Sequence, residues 1–147
     1  MSEMTLITKR YDDIVGFTSK VNKSVIVFKK KALLADATNK TKYPNLEISE
    51  DELKCAKEDL LQSLSDLEAL ASNTEYNSKL SGLAESSALQ KLILRSDTDR
   101  KEIEQIVHSL KENTPLSKAQ FIMLDKIIAI LDSERNLLFR KLRTARG

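Results

Sequence analysis

A single cysteine, Cys55, means that no intrachain disulfide and no cysteine-based zinc or iron–sulfur site can form within the chain. A reducing, cytoplasmic setting is expected. His108 is also alone of its kind, which excludes a histidine metal cluster or a histidine pair for acid–base work. Tryptophan is absent, aromatics make up 5%, and there are only 3 glycines and 2 prolines. Sheet cores usually recruit more aromatic residues than this, and tight hairpins need more turn formers, so sandwiches and barrels are not expected. No window approaches the roughly 18 apolar residues of a transmembrane helix, and no membrane association is expected. The opening MSEMTLITKRYDD has none of the marks of a secretory leader. Glycine-rich phosphate loops are missing as well, and no cofactor or metal is implied.

What remains is a chain of 147 residues, 41% apolar and 31% charged, which fits one domain spanning 1–147. Its net charge of +2 is unevenly spread. Through Lys42 there are nine basic residues against four acidic, from Glu47 to Glu75 two against nine, and from Lys118 onward seven against three. Basic ends therefore flank an acidic middle. Antiparallel helices lying side by side would neutralise these blocks; alternatively, one basic end is displayed to an acidic partner.

The stretch VIVFKKKALL, from Val25 to Leu34, has a strand-like start, yet its apolar residues belong to a longer helical register. Ile7, Tyr11, Ile14, Thr18, Val21, Val25, Phe28, Ala32 and Ala35 advance by fours and threes, predicting one helix from about Thr5 to Ala37. Pro44 lies in the loop that follows. Ser49 and Glu52 form a capping box opening a second helix that runs to about Ala71 on Leu53, Ala56, Leu60, Leu64 and Leu67. Leu80, Leu83, Ala84, Leu89, Leu92 and Ile93 suggest a third helix. Ile103, Ile106, Val107 and Leu110 suggest a fourth, or a kinked continuation of the third. Pro115 closes that span, and a second capping box, Ser117 with Gln120, starts a final helix carried by Phe121, Leu124, Ile128, Leu131, Leu138 and Leu142.

The expected fold is all-α, an antiparallel bundle of four to five helices with the first and last longest. Helix one exceeds helix two in length. Either the short helices stack end to end along it, which is the favoured arrangement within a chain, or its surplus packs on a second subunit as a dimer.

No constellation suggests catalysis. His108, between Glu104 and Glu112 on one helix face, reads as a solvated side chain. Cys55, beside Lys54 and Lys57, reads as a partly buried small residue at the edge of the helix-two stripe. Arg135, between Leu131 and Leu138, would have to snorkel or pair with an acid of helix two.

The remaining candidate is a face. Ile26 and Leu33 widen the buried seam of helix one, while Lys20, Lys23, Lys30 and Lys31 share the opposite side with Val27 and Leu34 among them. Lysine stems and two aliphatics would suit a partner helix. Arg140, Lys141 and Arg143 form a second basic cluster near the end of the last helix. The function expected is that of a non-enzymatic interaction protein docking a protein partner through charged helix faces. The type is an adaptor, chaperone, immunity or antitoxin protein, or a small subunit. The alternative is a nucleic-acid-associated accessory protein contacting the phosphate backbone through the basic faces of the first and last helices.

Overall fold

A computed structural model of the chain describes residues 3–35, 42, 45, 47–72 and 97–146. Within them are four helices and no strand: α1 (Glu3–Leu34), α2 (Glu50–Ser72), α3 (Asp97–Lys111) and α4 (Lys118–Arg146). The all-α class holds. The third helix suggested by residues 80–93 lies outside the described residues.

The first helix, α1, continues without a break through Gly16 and through Val25–Phe28, a length of about 48 Å at 1.5 Å per residue. The β-branched run is helical because Val21, Val25 and Phe28 are all buried on one side, and that packing outweighs a weak strand propensity. Thr18, the polar member of the stripe, satisfies its buried hydroxyl by donating to Ile14 O at 2.7 Å.

Both predicted capping boxes mark real helix starts. At α2, Ser49 Oγ accepts from Glu52 N at 3.0 Å. At α4 the box is reciprocal: Gln120 N donates to Ser117 Oγ at 3.1 Å and Ser117 N to Gln120 Oε1 at 2.9 Å. The Gln120 amide nitrogen then donates to Ser109 Oγ of α3 at 3.1 Å, so one side chain both starts α4 and ties it to α3.

The end of α3 is set by Asn113, which takes the left-handed conformation with φ 56°. Thr114 N reaches Ser109 O at 2.9 Å and Asn113 N reaches Leu110 O at 3.3 Å, the two bonds of a Schellman cap. Lys57 of α2 donates to Asn113 Oδ1 at 3.0 Å, holding this corner against the start of α2.

Named contacts fix the helix directions. Arg10 meets Glu134 and Lys29 meets Asp125, so α1 and α4 run oppositely along most of their length. Leu6 packs on Leu70 while Lys30 approaches Glu52, so α1 and α2 also run oppositely. α3 joins α2 and α4 through Lys57–Asn113 and Lys126–Asp99 and packs mainly on those two helices. Among the described residues the length of α1 is covered by α4 and α2, and the expected stacking of short helices along it falls partly on residues 80–93, outside them. Ile14, Val21, Leu60, Leu67, Ile106, Leu124, Ile127, Leu131 and Leu138 form the centre of the core.

Candidate functional site

The six predicted residues on α1 do not share one environment. Lys20 and Lys23 are exposed, and among the described residues neither takes part in an ion pair. Lys30 is half-buried with its Nζ 3.7 Å from Glu52 Oε1, and Lys31 and Leu34 are half-buried too. Val27 packs against the core.

The two aliphatics placed among the lysines are therefore not the most exposed ones. Those are Ile26, 63% exposed, and Leu33, 44% exposed, which were expected to widen the buried seam. The reason is the number of neighbours. Turning a single helix at about 100° per residue yields one buried side, but α1 is flanked by α4 on one side and by α2 on the other. The start of α2, marked by Glu52 at Lys30, covers the side on which Val27 stands. The residues next to Val27 and Leu34 in sequence, Ile26 and Leu33, are rotated to the open side.

Arg140, Lys141 and Arg143 are exposed on α4. Because α4 runs opposite to α1, they lie at the start of α1, where Arg143 lines a shallow cleft with Thr8, Tyr11, Asp12 and Phe139. Tyr11 and Phe139 approach with ring centroids 6.3 Å apart. Lys31 stands twenty residues beyond Tyr11 on the same helix, about 30 Å away. Lys20 and Lys23 of the same cluster are nearer, nine and twelve residues beyond Tyr11, or about 14 and 18 Å.

Other candidates are plain. His108, Glu104 and Glu112 are exposed. Cys55 is exposed, not partly buried as expected, because it stands one position off the stripe that buries Ala56. Arg135 does not occupy the stripe: Leu131 and Leu138 are bridged there by Glu134, and Arg135 lies 3.4 Å from Asp132 on its own helix. Among the described residues no group of three or more His, Cys, Asp or Glu side chains could hold a metal ion, and no helix is long and apolar enough to cross a membrane.

The chemistry that sequence reasoning missed is buried. Arg10 Nε donates to Glu134 Oε1 at 2.6 Å, with the side chains 0% and 2% exposed. The signal was present in the spacing, since Arg10 falls three after Ile7 and four before Ile14, and Glu134 three after Leu131 and four before Leu138. Next to this pair, the Asp13 carboxyl is raised above its ordinary 3.8 by burial, which outweighs the lowering by the Lys9 and Arg10 charges.

No family model, curated protein or solved structure matches the chain.

Proposed function

We propose that this protein is a non-enzymatic, cytoplasmic interaction protein: one domain, an antiparallel bundle of four to five helices that docks a protein partner through the outer side of α1. The observation that carries this reading is the open side of α1. Ile26 is 63% exposed there, and Lys23, one turn before it, is exposed with no ion pair among the described residues, as are Lys20 and several cations of the other helices. An exposed lysine one turn from an exposed aliphatic on a long helix suits an acidic protein surface, with the charge guiding encounter and the aliphatic supplying contact area. An adaptor, a chaperone, an immunity or antitoxin protein and a small subunit all use such a surface. The alternative is a nucleic-acid role, with the two basic clusters about 14 to 30 Å apart on the α1 scale and contacting one phosphate backbone.

The test is affinity capture with the tagged full-length chain and identification of the recovered protein, repeated with Lys20→Glu plus Lys23→Glu. Wild type should retain a stoichiometric protein partner, and the folded charge-reversed variant should retain much less. Equal recovery by both would remove the lysines from the interface. Salt-sensitive binding to duplex DNA or RNA with no protein partner would replace this reading by the nucleic-acid one.

A further inference from the structure

Where the start of α1 meets the end of α4, the chain brings aromatic and charged side chains into one cleft. Its volume is about 370 Å³, within the range of small-molecule sites, and Thr8, Tyr11, Asp12, Phe139, Leu142 and Arg143 line it. The antiparallel run of the two helices makes the site, since residues far apart in sequence stand on its two walls. Leu142 is buried and gives the cleft an apolar base. The Tyr11 and Phe139 rings approach at 6.3 Å between centroids with 36° between their planes, and Phe139 remains 50% exposed. Phe139 thus presents free ring surface while Tyr11 steadies it. Arg143 follows one turn later on the same face of α4, and Asp12 stands on the α1 wall. Among the described residues neither takes part in an ion pair.

We infer that this cleft binds a nucleotide unit, a flat base joined through its sugar to a phosphate. Each part of the ligand answers a lining residue. The exposed Phe139 ring is a stacking platform, which suits a base because every base has a π-face. The Arg143 guanidinium is a planar fork of donors matched to phosphate oxygens. The Asp12 carboxylate only accepts hydrogen bonds, so it favours a base edge that carries an amino group. An aromatic amino acid also offers a ring, a cation and an anion, but its ammonium and carboxylate sit on one carbon. Here the acid and the guanidinium belong to different helices on opposite walls, a separation that a nucleotide spans. Arg140 and Lys141, exposed just before Arg143, extend the positive end of α4 and suit the further phosphates of a single strand. The same unit is thus supplied by a free nucleotide or by a strand. The site is separate from the docking face proposed above, because Lys20 and Lys23 lie further along α1 and do not line the cleft.

The experiment is a nuclear magnetic resonance titration of the isotope-labelled full-length protein with adenosine monophosphate. Saturable shifts should centre on Thr8, Tyr11, Phe139 and Arg143. Phe139→Ala should weaken binding about tenfold, as loss of one stacked base does, and Arg143→Glu by at least as much, with the helical circular dichroism of both retained. Purine riboside monophosphate, which lacks the amino group, should bind wild type several-fold more weakly than adenosine monophosphate, and the two should bind Asp12→Ala alike. Equal binding of both to wild type overturns the assignment of Asp12. A short single-stranded deoxyadenosine oligomer distinguishes the sources. Tighter, salt-sensitive binding that is reduced by Arg140→Ala plus Lys141→Ala identifies a strand, and binding no tighter than that of the monophosphate identifies a free nucleotide. Lys20→Glu plus Lys23→Glu should leave adenosine monophosphate binding unchanged, so failure of the docking face and failure of the cleft are separate results. The inference is overturned by the absence of saturable shifts or by unchanged affinity in the folded Phe139→Ala or Arg143→Glu variant. Ribose phosphate or phenylalanine binding as tightly as adenosine monophosphate also overturns it, since the cleft would then read a lone phosphate or a zwitterion.

Discussion

Two ion pairs cross the same pair of helices in opposite environments. Arg10 and Glu134 meet at 2.6 Å with 0% and 2% of their side chains exposed, whereas Lys29 and Asp125 meet at 3.0 Å with 48% and 53% exposed. Their geometry is similar and their energetic weight is not. A buried pair has given up its hydration on both sides, so breaking it is costly. An exposed pair keeps water and loses little when broken. One end of the α1–α4 junction is therefore dry and fixed in register, and the other is wet and replaceable.

The sharpest way to break this comparison is Glu134→Gln. It keeps the volume and removes the buried carboxylate that Arg10 Nε contacts, so a loss of about 3–5 kcal/mol is expected in urea unfolding. A loss below about 1 kcal/mol would mean that water reaches the pair and that the two ends do not differ. The complementary change, Arg10→Met with Glu134→Leu, removes both charges and fills the space with apolar groups. It should recover most of the stability, or exceed wild type by a few kcal/mol. If the double variant is stable but mixes helix arrangements, as judged by dispersed against collapsed amide resonances, the pair serves to specify register.

How much of this was legible in the sequence depends on how local the cause is. The Ser49 and Ser117 starts were readable because a capping box is a contact within four residues. The stripes of Val21, Val25, Leu60, Leu64 and Leu131 were readable because their spacing alone makes a buried side. Arg10 and Glu134 met the same spacing and were passed over because a charged residue is an unexpected core member. What makes each acceptable is a partner 124 positions away, which no local pattern reveals. The exchange of Val27 for Ile26 as the open aliphatic failed for a related reason. A helical wheel orders residues around an axis but does not say that two neighbours, α4 and α2, would cover it from both sides. Asn113 had no strong signal, since asparagine tolerates left-handed backbone without requiring it.

Asp13 sharpens the comparison by titration. Its carboxyl, raised by burial above the ordinary 3.8, binds a proton more tightly in the folded than in the unfolded chain. Its contribution to stability is therefore present at low pH and is lost as pH rises from 3.8 through the folded value. Asp13→Asn removes the ionisable group, so the variant should be modestly more stable than wild type at pH 7. The two should converge as pH falls below 3.8 in chemical denaturation. A constant difference across that range would point to packing and not to a partly dry environment beside Arg10.

The smallest effect is expected at the wet end. Lys29 Nζ reaches both Asp125 oxygens, at 3.0 and 3.2 Å, but both side chains are about half exposed. A double-mutant cycle with Lys29→Ala and Asp125→Ala should give a coupling of about 0.2–1 kcal/mol. Salt should diminish it, since the screening length falls to about 3 Å at 1 M. A larger, salt-resistant coupling would show that this end is also dry.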